Sequence, residues 1–258
     1  PARGDGATGN VGSGCLTRER AALNIGTSGA LRVAWRADEV KIPRGLWCYR
    51  IDSKRFVMGG ALSNGGDLFA WMQETLKLGA EDEVEAELAR MKADEHGLTL
   101  LPFLSGERST GWQSEARAAI TGMSLDTTPI EILRAGLEAV AYRFAAIYDL
   151  IAEGLGKPSQ VIASGAAVLR SPAWAQIISD VIGADIAVSS EAEASSRGAA
   201  LMALEALKSI PNVETIEPTT GQIYSPEPES TEIYAEARKR QDRLYEAIIK
   251  RQDARTRN

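Results

Sequence analysis

Apolar positions alternate early in the chain and take helical spacing later. Residues 21–25 and 30–35 read as two strands joined by the glycine-bounded turn Gly26-Thr-Ser-Gly29. Residues 46–51 and 55–58 predict a second hairpin around Asp52-Ser53-Lys54. Helical spacing then begins. Residues 62–76 are expected as a helix broken early by Gly65-Gly66. Residues 81–94 place Val84, Leu88 and Met91 on one stripe of a charged surface helix. Residues 98–104 are a short apolar strand or extended segment. The firmest pattern spans 129–153, where Ile130, Leu133, Leu137, Val140, Phe144, Ile147 and Ile151 recur every three or four positions. Thr128 is its expected N-cap, Pro129 its first residue, and Gly154 and Gly156 its stop. Strand 161–163, helix 172–182, strand 186–188 and helix 195–207 follow. That alternation implies parallel strands with crossover helices. Residues 219–229 are Pro-rich and expected as an extended linker, and 231–251 as a closing amphipathic helix. The sum is an α/β chain: a mixed sheet, antiparallel hairpins followed by αβαβα, with helices on both faces.

Composition narrows the partners. The chain has 258 residues and a net charge of −6, with no clustered Lys/Arg patch to hold nucleic acid. Its length buries enough surface to need no metal or disulfide staple. Two cysteines, Cys15 and Cys48, suit a reducing cytoplasm and supply no zinc spacing. No apolar run reaches membrane-spanning length, so no membrane partner is expected. The single histidine, His96, lies in a polar stretch and contributes nothing to the expected chemistry. The start at Pro1-Ala-Arg-Gly, without an initiator methionine or an apolar leader, reads as a cut from a longer protein.

Several glycine-rich segments could carry chemistry. Asp5 stands between Gly4 and Gly6, in a glycine-dense stretch read as a loop; it suits a carboxylate that reaches a substrate hydroxyl, and equally a plain turn. The Gly26–Gly29 turn offers N–H groups and two hydroxyls to phosphate oxygens, or is only a hairpin turn. Ser63-Asn-Gly-Gly66 opens a helix whose first N–H groups attract anions. Ser164-Gly-Ala-Ala167 follows a strand, where α/β sheets collect ligands. Gly106-Glu107-Arg108 reads as an ion-paired structural turn in preference to a functional loop.

Taken in order, these segments resemble one family. Gly4-Asp5-Gly6, Asn24-Ile-Gly-Thr-Ser-Gly29, Gly59-Gly-Ala-Leu-Ser-Asn-Gly-Gly66, Leu101-Pro-Phe-Leu-Ser-Gly-Glu-Arg108, Ala163-Ser-Gly-Ala-Ala-Val-Leu-Arg170, and Glu193 with Arg197-Gly-Ala-Ala200 are similar to the FGGY carbohydrate kinases. The first two are most similar to gluconate kinases. The resemblance implies the actin-like, ribonuclease H-like fold, with residues 1–258 as the C-terminal, ATP-binding domain of a two-domain enzyme. Its N-terminal domain would be the partner that brings most contacts to a sugar or sugar acid. Asp5 falls on the catalytic base, Gly26 and Thr27 on the turn that holds the ATP phosphates, and Gly66 on a nucleotide contact. Gly165, Ala166 and Arg170 fall on the adenosine loop. Mg²⁺ would bridge the phosphates, with no dedicated protein ligand for the metal. Ala166 and Ala167 depart from the family's glycines and would narrow the adenine slot. The family's Asp-X-Gly-Thr loop has no match, so the isolated chain is expected to bind nucleotide without turnover, and self-association into a homodimer is a further expectation. The competing readings are a non-catalytic nucleotide-binding or scaffold domain of actin-like fold, and an actin- or chaperone-type ATPase.

Overall fold

A computed structural model describes residues 4–250. Residues 1–3 and 251–258, including the last position of the expected closing helix, lie outside the described residues. The elements run α1 (Asp5–Gly12), β1 (Arg20–Ile25), β2 (Gly29–Arg36), β3 (Trp47–Arg50), β4 (Arg55–Leu62), α2 (Gly66–Thr75), α3 (Glu81–Leu88), β5 (Thr99–Leu101), β6 (Ala119–Thr121), α4 (Pro129–Leu155), β7 (Gln160–Ser164), α5 (Ala166–Arg170), α6 (Pro172–Ile182), β8 (Asp185–Ser189), α7 (Ala194–Ala206), β9 (Thr220–Tyr224) and α8 (Pro228–Tyr245). Seven strands form one sheet in the order β3-β4-β2-β1-β7-β8-β9, and β5 with β6 makes a separate ribbon. The hairpins pair antiparallel, β1 joins β7 in parallel, and β8 is parallel to β7.

Alternate residues of the central strands face opposite layers. Leu23, Ile25, Leu31, Val33 and Met58 pack with Leu137, Phe144 and Ile147 of α4 and Trp174 of α6. Ala34 and Val57 turn the other way and meet Ala7 and Val11 of α1. The helix α4 starts as its sequence predicts. Thr128 donates its N–H to the Glu131 carboxylate at 2.7 Å, Pro129 takes the first turn, and Gly156 at φ +90° ends the helix.

The structure departs from the sequence expectations in four places. The glycine-dense start is a helix, with Asp5 in its first turn. Gly12 serves close packing, since a Cβ there would overlap the Ala194 carbonyl, and across from it a Cβ at Gly198 of α7 would overlap the Thr8 carbonyl and lie 2.8 Å from the Gly12 nitrogen. The expected helix at 62–76 begins only at Gly66, because β4 continues to Leu62 through Gly59 and Gly60. Gly60 is needed there, since a Cβ would sit 2.6 Å from Ile147 Cγ1. The helix expected over 81–94 stops at Leu88. The Pro-rich segment 219–229 is an edge strand rather than a linker: β9 pairs antiparallel with β8, and Pro218 and Pro226 stand outside the paired residues.

The last helix is tied down by a buried polar network. The Glu138 carboxylate accepts from Arg134 Nε at 2.7 Å and from the Tyr234 hydroxyl of α8 at 2.9 Å. His96 Nδ1 accepts the Leu98 N–H, so Nε2 carries the proton that it donates to Glu138 at 3.0 Å. Burial alone would raise the Glu138 carboxyl, but the bond from His96 and the charge of Arg134 outweigh it and hold it below the ordinary carboxylate range. His96 is therefore a structural residue in this fold.

Candidate functional site

Three backbone turns converge at the carboxyl ends of β1 and β7. Gly65 N–H and Asp67 N–H each donate to the Thr27 carbonyl at 3.1 Å, and Gly66 N–H donates to Gly26 O at 2.8 Å. The start of α2 is thereby laced onto the β1–β2 turn. Asn64 and the Gly65 N–H are held in turn by the Asp67 carboxylate, at 2.8 and 2.9 Å. Phe144 of α4 packs directly beneath Gly29. From the other side, Gly165 at φ +98° brings the β7–α5 turn against the backbone of Ile25, and Asn24 bonds Ser164 across the same junction at 3.1 Å.

Between these turns opens a cleft of about 740 Å³ whose walls include Gly26, Thr27, Gly66, Phe69, Ala166, Ala167 and Arg170. Of the expected nucleotide residues, Gly26, Thr27, Gly66, Ala166 and Arg170 line it directly, while Gly165 shapes its rim from behind. Gly66 and Gly165 are both required by the fold itself. A Cβ at Gly66 would meet Gly26 O at 2.6 Å and the Ala167 methyl at 2.8 Å, and one at Gly165 would run into Ile25. Gly26 differs, since a Cβ there would meet nothing within 4 Å. Residues that sequence reasoning did not single out complete the walls. Phe69 stacks towards Trp174 at 6.4 Å, and Glu85 is fixed by the Ser171 hydroxyl at 2.7 Å and the Ala173 N–H at 2.6 Å. Both come from amphipathic helices, where a cleft-facing residue looks like any other surface position.

The far side of the same turn lines a second, smaller depression of about 340 Å³, shared by Gly6, Ser28, Gly29, Arg32, Tyr49 and Arg108. Asp5, one residue from Gly6, is exposed and takes part in no ion pair within 4.0 Å among the described residues. The Gly26–Gly29 turn therefore stands as a partition, with the larger cleft on one side and the depression beside Asp5 on the other. The Gly-Glu-Arg segment splits between two roles. Glu107 is buried and pairs with Arg143 of α4 and the Tyr245 hydroxyl of α8, as the structural reading expects. Arg108 is exposed and reaches the depression. Burial lowers the pKa of Arg32 and raises that of Tyr49.

A metal site elsewhere finds little support. Asp94, His96 and Glu138 are the candidate metal-holding cluster among the described residues. Its Glu138 oxygens are already occupied by Arg134, Tyr234, Tyr142 and His96, and a guanidinium in contact opposes a cation. No helix among the described residues is long and apolar enough to cross a membrane.

Comparison with known proteins converges on one group. Residues 21–207 match the model of the FGGY family of carbohydrate kinases, C-terminal domain, a span that starts after Asp5. The chain is 27% identical over 231 residues to the gluconokinase of Bacillus subtilis, covering 85% of this chain and 45% of that protein. It is 30% identical over 205 residues to the glycerol kinase of Mycolicibacterium gilvum, covering 78% of this chain and 41% of that protein. The gluconate kinase structure from Lactobacillus acidophilus superposes with a TM-score of 0.86 at 25% identity, over 95% of this chain and 50% of that one. A xylulose kinase structure from the same organism gives 0.85 and 25% with the same coverage. The chain thus spans about half the length of the relatives it matches. The actin-like, ribonuclease H-like fold is shared with these structures. With a family model matched over most of its length and the same fold throughout, the chain belongs to the FGGY family of carbohydrate kinases and carries its C-terminal domain.

Proposed function

We propose that this chain supplies the nucleotide-binding half and the catalytic base of a kinase that transfers the ATP γ-phosphoryl group to a hydroxyl of a sugar or sugar acid. One observation carries the reading. The Gly26 Cβ position is empty and faces the cleft where three turns meet, while the neighbouring glycines are consumed by the fold. An open glycine of that kind suits a phosphate chain lying on the backbone. The adenosine would lie between Phe69, Ala166 and Arg170. The Ala167 methyl fills the space beside Gly66, so it supports the wall of the slot as well as narrowing it.

Asp5 is proposed as the base. It would accept the acceptor's hydroxyl proton as the new O–P bond forms and the bond from the γ-phosphorus to the bridging oxygen breaks, with ADP leaving. The Thr27 and Ser28 hydroxyls and the Asp5 carboxylate offer the hard oxygen donors that suit Mg²⁺ held chiefly by phosphates, and the cation would neutralise their charge. The sugar's other contacts, and the domain that brings them, are proposed to come from the half of the enzyme that this chain does not match in its relatives.

Calorimetric titration of this chain with Mg·ATP and Mg·ADP tests the nucleotide half. Binding that Thr27→Arg abolishes is the expected result; equal binding by the variant would remove the turn from the site. In the full-length protein, Asp5→Asn should lower kcat by roughly 10²–10⁴-fold and leave ATP affinity in place. Normal turnover would take Asp5 out of the mechanism.

A further inference from the structure

Arg32 is not accounted for by the packing. It lies on the α1 face of β2, with Ala30 and Ala34 as its neighbours on that face. Gly59 stands opposite it on β4, and Trp47 of β3 stands opposite Gly59. A Cβ at Gly59 would overlap the Leu31 carbonyl and lie 3.1 Å from Arg32 Cγ, so the glycine is needed by the strand backbone and the arginine stem runs over it. The head ends against Gly6: Arg32 Cζ and Nε lie 3.2 and 3.3 Å from that residue's Cβ position, and the Tyr49 hydroxyl lies 3.2 Å from the same point. Arg32 Nε is buried without a hydrogen-bond partner, and the side chain forms no ion pair within 4.0 Å among the described residues. Arg108 faces the same depression and is likewise unpaired. Arg32 and Arg108 thus share one depression, and the exposed Asp5 carboxylate is the acidic group near enough to Arg32 to act on its charge.

A half-buried cation held in no ion pair, with only the exposed Asp5 carboxylate acting on it from a distance, costs stability that an apolar residue at the same position would not. Its fork geometry matches a carboxylate, which it can hold through two parallel bonds. We infer that Arg32, with Arg108 and the Tyr49 hydroxyl, receives the carboxylate of the phosphoryl acceptor, which makes that acceptor a sugar acid rather than a neutral sugar or polyol. The inference rests on the kinase reading above. The other anion within reach is the γ-phosphate, and the experiment separates the two.

The test is ADP release by the full-length protein with five- and six-carbon aldonates beside the matched neutral polyols. The wild type should favour an aldonate, and Arg32→Leu should cut that preference in kcat/KM by roughly 100-fold, through KM for the acid. Arg32→Lys should recover part of it. A wild type that favours a neutral acceptor would overturn the inference and leave the kinase reading standing. A fall in kcat shared by every acceptor, with KM for the acid unmoved, would also overturn it and assign Arg32 to the γ-phosphate or to Asp5. Absence of both turnover and nucleotide binding in the wild type would sink the kinase reading beneath it. Melting of this chain supplies an independent readout. Arg32→Leu should melt at or above the wild-type temperature, and a marked drop would show that Arg32 is structural.

Discussion

The crossing of α1 and α7 sets the position of Asp5, and Gly198→Ala tests it. The substitution adds one methyl group in a helix interior. On helix propensity alone it should stabilise by about 1 kcal/mol. The structure argues for the opposite sign. The new Cβ would overlap the Thr8 carbonyl and lie 2.8 Å from the backbone nitrogen of Gly12. Both obstacles are backbone, and no rotamer change clears them. The α1 helix must retreat as a body, on the order of 1 Å, to reach ordinary contact. Overpacking of this kind costs about 1–3 kcal/mol. Set against the propensity gain, this leaves a net loss of up to about 2 kcal/mol, or up to roughly 8 °C in Tm for a chain of this size. The retreat carries Asp5 with it, and a misplacement of about 1 Å near the chemistry lowers turnover by on the order of 10²-fold. The nucleotide cleft uses neither helix, so ATP affinity should hold. Thermal melting of this chain, titration with Mg·ATP and turnover of the full-length protein are the three measurements. A variant more stable than wild type, with the propensity gain realised, would refute the tight crossing.

Three further outcomes follow from other parts of the molecule. Gly26→Val should leave the melting temperature within a degree or two, since its Cβ meets nothing within 4 Å, yet remove measurable Mg·ATP binding; retained binding would place the phosphates elsewhere. Glu138→Gln breaks a buried charge network and should cost about 3–5 kcal/mol at neutral pH. Because the folded carboxyl lies below its ordinary value of 4.5, its contribution is full above that pH and is lost as the pH falls through the lower folded value. The gap between wild-type and variant urea midpoints should therefore close below pH 4.5, and a constant gap would refute the assignment. Burial pushes the Cys15 thiol up to about 12, so a thiol reagent at pH 8 should label at most Cys48 in the native chain and both cysteines after denaturation; two fast labels would contradict the buried position of Cys15.

Local periodicity made much of the fold readable. The stripe of α4, its Thr128 start and its Gly156 stop all depend on neighbours within a few positions, as do the β1–β2 hairpin and the strand–helix alternation after 160. The misreadings share a cause, which is dependence on distant residues. Gly12 looks like part of a loop until Ala194 and Gly198 are found across from it. Gly59 and Gly60 look like strand breakers until Ile147 and Arg32 are seen to use their space. The prolines near 219–229 suggested a linker, although they sit just outside the residues that pair with β8. His96 gave no hint of Glu138, which lies on α4, 42 positions along the chain. The clefts divide the same way. Gly26, Thr27, Gly66, Ala166 and Arg170 were readable from motif wording. Arg32 sits in a strand whose alternation makes a polar residue unremarked, and only its lack of a partner marks it.

The parallel seam between β1 and β7 has a consequence for how the chain is made. The edge of β1 that accepts β7 belongs to the first 25 residues, whereas its partner begins at Gln160. At about 5–20 residues per second of synthesis, roughly ten seconds separate the emergence of one from the other. For that interval the β1–β4 meander can pair within itself but carries a bare strand edge, with Leu23 and Ile25 uncovered by α4. Such an edge invites pairing with a second nascent chain. Slow synthesis or crowded ribosomes should then favour aggregation through β1, and a charged residue at Asn24, exposed at the end of that edge, would act as a gatekeeper during birth rather than as a stabiliser of the finished fold.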